Sequence, residues 1–230
     1  MVDAPLVLLG GSGLGPWAWQ RVTPLLEEAG ARVIVPTLSA TADDETPAAV
    51  VDLDVWVADV VHALDAARVR TATVVAHSFA GYLAAALAER HPSRVHGLIF
   101  VDANIPAPGV PWLAAMGPQI EAMLRSSVRD DAVPFFAPDQ FDAVHPDSGL
   151  SDDDRALLLG SATPQPLRTE EQSAVAAAPR RDSPYIRCIR TTPPAADLDG
   201  WTRVVELDTG HWPMLSAPGE LAEAIVEGAT

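Results

Sequence analysis

The chain has no lysine. All fifteen of its basic side chains are arginine, set against thirty-one carboxylates, and the formal net charge is −16 over 230 residues. That balance argues against nucleic acid as a partner, because gripping a phosphate backbone takes clustered cations. An acidic surface instead favours solubility. Cysteine is almost missing too. Cys188 stands alone, which excludes an internal disulfide framework and any cysteine-based metal site. Its apolar setting, "YIRCI", reads as that of a buried, inert thiol. No apolar run approaches the roughly 18 residues of a membrane span. The first strand-like run starts almost at once, without the charged and apolar regions of a leader. The expectation is a soluble, cytoplasmic protein with no membrane partner. His62, His77, His91, His96 and His145 show no metal-ligand spacing, so no metal is expected.

What is abundant is apolar sequence, 48% of the chain, enough for one sizeable core in a single α/β domain. Short runs rich in Val, Ile and Leu recur at Leu6–Leu9, Arg32–Val35, Ala72–Ala76, Val95–Val101, Tyr185–Ile189 and Arg203–Leu207. Continuous runs of that length suit strands buried on both faces. Helical spacing alternates with them at Pro16–Ala29, Leu53–Ala67, Ala80–Arg90 and Leu215–Glu227. The alternation predicts a mostly parallel, doubly wound sheet of about six strands. Between residues 104 and 183 the rhythm breaks into a stretch rich in Pro, Ala and Asp. Helices are predicted there over Gly109–Arg129 and Ser151–Ala162, the second capped by Ser151. The organisation expected is a core of residues 1–103 and 184–230 with a helical cap over 104–183.

The strand "TATVVA" runs into "AHSFAG" and then a helix. This is the small–x–Ser–x–small pattern of a nucleophile elbow, with Ala76 and Ala80 where glycine is usual. The serine must sit on a strained turn above the sheet edge, and larger flanking side chains would collide with backbone. Near the other end, "DTGHWPM" places His211 in a loop after the last strand. A Ser78 after a central strand and a His after the last one suit a nucleophile and its base. Both would meet at the C-terminal sheet edge.

The glycine cluster "GGSGLG" after the first strand has two readings. A dinucleotide site needs G-x-G-x-x-G and an acid about 20 residues on, after the second strand. Here that strand ends "VIVPTLS", without an acid. An oxyanion hole needs only a flexible loop that turns a backbone N–H toward a carbonyl. The Ser12 and Phe79 amides are the expected donors, and no cofactor is expected.

These residues resemble the α/β-hydrolase superfamily, and within it the small capped esterases related to plant methyl esterases and hydroxynitrile lyases. The likeness rests on "LVLLGGSGLGPWAWQRV", "AHSFAG", "VDANIP", "TPQPL" and "ELDTGHWPMLSAPGELA", spread over nearly the whole chain. It implies the α/β-hydrolase fold with a helical cap insertion, Ser78 as nucleophile, His211 as base, and the Ser12 and Phe79 amides as the oxyanion hole. Gly11, Trp17, His77, Trp112 and Trp212 are the expected substrate contacts, with Trp19 also a candidate for the cleft.

Three positions depart from that pattern. Gly10 replaces the usual histidine of an HG pair. Thr191 stands where the branch places its acid, six residues after Tyr185. Asp102, ending "LIFVD", is the best substitute because some superfamily members place the acid there. Asp197, Asp199 or a Ser–His dyad are the other options. Trp212 occupies the position next to the histidine where the hydroxynitrile lyases need lysine, which argues against cyanohydrin cleavage. The expectation is a serine esterase acting on a small, largely apolar ester, thioester or lactone. Two alternatives stand beside it: non-hydrolytic elimination, cyclisation or decarboxylation with His211 as base, and a receptor-like ligand binder. A homodimer stays open as an assembly.

Overall fold

Side chains along the central strands alternate between two apolar layers, and that alternation organises the molecule. The computed structural model describes residues 4–175 and 179–230. Residues 1–3 and 176–178 of the expected core and cap ranges lie outside them. Six strands form one parallel sheet: β1 (Leu6–Leu9), β2 (Val33–Ile34), β3 (Ala72–His77), β4 (Val95–Val101) and, later in the chain, β7 (Tyr185–Cys188) and β8 (Val204–Leu207). Their order is β2-β1-β3-β4-β7-β8. The register pairs Leu6 with Thr73 and Leu9 with Ala76 across β1 and β3.

Val7, Leu9, Val74 and Ala76 point to one face, with α2 (Leu53–Ala66) and α3 (Ala80–Arg90) packed over them. Leu6, Leu8 and Val75 point to the other, under α1 (Thr23–Glu28) and α10 (Pro218–Gly228). Both faces of the central strands are therefore dry, which is why their sequence is a continuous apolar run rather than an alternating one. Each such Leu or Val stabilises the fold by about 1.5–3 kcal/mol relative to exposure. The outer strand β8 alternates exposed and half-buried positions.

The chain runs outward from β1 to β2 and returns to place β3 on the opposite side of β1. That reversal opens a crevice at the C-terminal ends of β1 and β3, the position where open parallel sheets bind ligands.

Three expected helices are broken by their own residues. The Pro16–Ala29 pattern becomes a 3₁₀ turn, Pro16–Trp19, followed by α1. Pro24 has no N–H and its ring clashes with the carbonyl four residues back, so the first turn cannot continue through it. The Gly109–Arg129 pattern becomes α4 (Trp112–Ala115) and α5 (Pro118–Ser127), split at Gly117, whose φ is 84°. Likewise α9 (Pro213–Ser216) stops before Pro218. Where no such residue interrupts, α2 begins on Asp52, whose carboxylate accepts the Asp54 and Val55 amides at 3.1 Å. Ser151 caps α7 (Asp152–Ser161) in the same way.

The segment between β4 and β7 holds α4, α5, α7, α6 (Pro138–Val144), α8 (Leu167–Glu171) and an antiparallel pair, β5 (Ala132–Val133) with β6 (Gln165–Pro166). It is fastened to the core at named points. The Thr163 N–H donates to the Gly13 carbonyl at 3.0 Å, Arg21 pairs with Asp154 at 2.6 Å, and Leu53 N–H donates to Gln172 Oε1 at 2.9 Å. Among the described residues no helix is long and apolar enough to cross a membrane.

Candidate active site

β3 delivers Ser78 to the crevice on a strained turn. Its φ is 55°, a left-handed conformation that costs a non-glycine residue about 1–2 kcal/mol. The turn is over-determined by its neighbours. Ser78 N–H donates to the Val101 carbonyl, and the Ser78 carbonyl accepts from both Gly81 and Asn104. Ala76 and Ala80 flank it in full burial. A Cβ on Gly81 would overlap the Asn104 carbonyl oxygen, so α3 starts pressed against the chain leaving β4.

Ser78 Oγ lies 2.8 Å from His211 Nε2, and His211 Nδ1 lies 2.7 Å from Asp102 Oδ2. A carboxylate only accepts, so Nδ1 carries the proton and Nε2 is left to accept from the serine hydroxyl. Asp102 is buried at the end of β4. Its other bonds come from Cys188 N–H at 3.2 Å and from the Thr191 hydroxyl at 2.6 Å. Burial works against its charge, yet His211, by hydrogen bond and by charge, with Thr191 and Cys188, holds the carboxyl below its ordinary value. Asp197 is engaged elsewhere, its Oδ1 accepting the Asp199 N–H, and His211 Nδ1 bonds Asp102 rather than Asp199.

The loop after β1 passes directly over the serine. A Cβ on Gly11 would stand 2.5 Å from Ser78 Cβ and 3.1 Å from its Oγ. Only a residue without a side chain fits there. Among the described residues neither the Ser12 N–H nor the Phe79 N–H donates to a protein acceptor. Phe79, at the N-terminus of α3, stacks on Tyr82 and meets the edge of Trp112.

The expected substrate contacts separate into two groups. His77 requires correction. It is 1% exposed, and both ring nitrogens are taken, Nδ1 by Gly11 N–H at 3.3 Å and Nε2 by the His211 carbonyl at 2.7 Å. Trp212 and Trp19 are also buried, at 3% and 1% exposure, as members of the core layer that includes Met214. Trp17 and Trp112 remain half-buried. The Trp112 indole N–H is used by Asn104 Oδ1.

Two residues beside His211 escaped sequence reasoning. His145 comes from the end of α6, and its ring lies parallel to that of His211 with centroids 6.0 Å apart. It also meets Trp212 and Phe136 edge-on. Burial, then the nearby His211, pushes His145 down to about 4. Ser148 follows it, and a Cβ on Gly210 would overlap the Ser148 carbonyl oxygen. Residues 145–148 thus clamp the loop that carries His211. No sequence spacing announces this, whereas the threonine at the acid's usual place did hold a clue to Thr191. Among the described residues no group of three or more His, Cys, Asp or Glu side chains is arranged to hold a metal ion.

Comparison with known proteins adds three kinds of likeness. The sequence profile described as the alpha/beta hydrolase family matches residues 6–224. A carbendazim hydrolyzing esterase of Nocardioides sp. (strain SG-4G) is 25% identical over 96% of this chain and 98% of its own length. A 2-hydroxymuconate semialdehyde hydrolase of Pseudomonas sp. (strain CF600) is 43% identical, but over 42% of this chain and 35% of that relative. Among solved structures, an extracellular alpha/beta-hydrolase from Paenibacillus, described as sharing homology with tobacco salicylic acid binding protein 2, superimposes with a TM-score of 0.79. It is 18% identical over 98% of this chain and 99% of its own.

Proposed function

The chain belongs to the α/β-hydrolase family, and on that footing we propose that it is a cofactor-independent serine hydrolase that cleaves a small, largely apolar ester, thioester or lactone. The observation that carries this reading is the unbroken line of hydrogen bonds from Ser78 through His211 to Asp102, at 2.8 and 2.7 Å.

In this reading Ser78 Oγ attacks the substrate carbonyl while His211 Nε2 takes its proton. Asp102 holds the imidazole in the Nδ1–H tautomer and stabilises the imidazolium as it forms. The Ser12 and Phe79 N–H groups receive the negative oxygen, each contributing about 3–4 kcal/mol to the transition state by analogy with other hydrolases. His211 returns the proton to the leaving alcohol, thiol or ring oxygen. Water, activated by the same imidazole, then frees the acyl group. The segment between β4 and β7 acts as a cap, with Phe135, Phe136 and Trp112 supplying apolar wall and excluding water.

The non-hydrolytic alternative drew its motive from the missing carboxylate at position 191. Asp102 supplies a carboxylate to the same imidazole, so no specific observation favours it. A fluorophosphonate probe with peptide mass analysis tests the proposal. The expected outcome is one adduct, on Ser78, that abolishes turnover of short aryl esters. An unlabelled Ser78 overturns it.

A further inference from the structure

Three glycines in four positions, Gly10, Gly11 and Gly13, leave the loop after β1 with much conformational freedom to lose. Yet its amides must be aimed to within a fraction of an ångström if they are to bind an oxyanion. Something has to hold them. The Leu14 N–H bond to the Gly11 carbonyl closes the loop on itself, and Thr163 N–H holds Gly13 from above. Neither ties the loop to the Ser78 turn or to the loop of His211.

The His77 imidazole does both at once. Gly11 N–H can only donate, so Nδ1 must be unprotonated. The His211 carbonyl can only accept, so Nε2 must carry the hydrogen. One neutral tautomer satisfies the two partners, and the ring is buried beneath them. It sits one residue before Ser78, with its centroid 4.7 Å from that of His211. The ring thereby joins the glycine loop, the serine turn and the histidine loop, three segments 66 and 134 residues apart along the chain.

We propose that His77 is a positioning residue whose imidazole fixes the oxyanion-binding loop against the loop of the catalytic base. The assignment rests on the hydrolase reading above, because a hole for an oxyanion matters only if one forms. Burial pushes His77 down to about 3, so the ring keeps its free Nδ1 lone pair through ordinary working pH. With glycine at position 10, the loop offers no imidazole of its own for this task.

His77→Phe keeps the ring and removes both bonds, whereas His77→Asn places Oδ1 near Nδ1 and keeps the acceptor for Gly11. Rates are to be measured on p-nitrophenyl butyrate, per Ser78 titrated to completion with fluorophosphonate, together with inhibition by a trifluoromethyl ketone that mimics the tetrahedral adduct. For His77→Phe, kcat falls about 100-fold, the effect of one misplaced oxyanion donor. KM changes little, and the ketone's inhibition constant rises in step with the loss in kcat/KM. His77→Asn recovers at least about tenfold of the lost kcat. Should His77→Phe fail to fold, His77→Gln, which reaches only the His211 carbonyl, replaces it and must be slower than His77→Asn. A wild-type rate per titrated site in His77→Phe overturns the assignment, as does an Asn variant no faster than Phe or Gln. A wild-type chain whose Ser78 takes no label sinks the hydrolase reading itself and this assignment with it.

Discussion

The Thr191 hydroxyl and the His211 imidazole converge on one oxygen, Asp102 Oδ2, at 2.6 and 2.7 Å. Strand pairing makes this possible. Asp102 N–H donates to the Ile186 carbonyl at 2.7 Å, so the end of β4 lies against β7, and Thr191 follows that strand. A carboxylate from one strand end reaches the imidazole, and a hydroxyl from the neighbouring strand end steadies it. The threonine at the position usual for the acid therefore has work of its own.

Asp102→Asn tests the carboxylate. The amide cannot stabilise the imidazolium and favours the wrong tautomer, so kcat should fall by about 10⁴ with KM nearly unchanged. Thr191→Val removes one charge-assisted bond and should cost about 1.5–3 kcal/mol of support to the carboxylate. Thr191 and the other bonds hold the Asp102 carboxyl low against the opposing effect of burial. Losing one lets it rise, so the variant should lose activity at a higher pH than wild type does on acidification. A pH–rate profile of both chains decides this.

Gly11→Ala tests the close approach of the loop to the serine. The new methyl would sit 2.5 Å from Ser78 Cβ, against backbone-anchored atoms that cannot swing away. The loop must shift, and kcat/KM should fall by about 100-fold or more as a donor leaves its place. Stability should drop by about 1–3 kcal/mol. Gly160→Ala is the control. It lies in α7 with no atom in the way, and should raise stability by about 0.5–1 kcal/mol with kcat unchanged.

The parallel rings of His145 and His211 give a third test. His145 is neutral above about 4, so His145→Phe keeps shape and charge, and kcat above pH 5 should stay within about twofold of wild type. His145→Arg brings a permanent cation beside an imidazole that, in the proposed mechanism, becomes positive in the transition state. At about 6 Å and an effective dielectric near 20 this repulsion is worth roughly 3 kcal/mol. A kcat loss of about tenfold to 100-fold, eased by added salt, is expected. Equal rates for the two variants would mean that the ring at position 145 does not face the reacting charge.

The sheet was legible because β1, β3 and the last half of β4, Ile99–Val101, are buried on both faces, which writes them as continuous apolar runs. The helices at Leu53 and Ala80 were legible from their spacing. Pro24, Gly117 and Pro218 were visible but not weighted enough to break the longer patterns around them. Ser78 and His211 stood out through turn chemistry and chain order. The partner of His211 was less direct: with Thr191 at the acid's usual place, Asp102 stood only as the best substitute beside Asp197, Asp199 or a dyad, and the β4–β7 pairing is what brings it to the imidazole. His77 was misread for a related reason. A polar side chain at a strand end facing a crevice looks like a substrate contact until the glycine loop is seen to cover it. The His145 contact depends on how the segment after β4 folds back, which no local pattern encodes.

Glu170 makes the fold's stability depend on pH. The residue lies buried on α8, and its Oε2 has no hydrogen-bond partner among the described residues. Burial, with Glu171 adding to it, pushes its carboxyl from 4.5 up to about 8. The folded chain thus keeps a proton that the unfolded chain releases once the pH passes about 4.5. Between those values the unfolded state binds fewer protons, so stability falls as pH rises, by a total on the order of a few kcal/mol. Glu170→Gln replaces the protonated acid with a neutral group of the same shape and removes this slope. Denaturant unfolding at pH 5 and pH 8.5 should give similar stabilities for the variant, while wild type is weaker than the variant at the higher pH. Because Glu170 touches none of Ser78, His211 or Asp102, kcat should not change. Parallel pH curves for the two chains would show that the carboxyl already ionises in the folded protein.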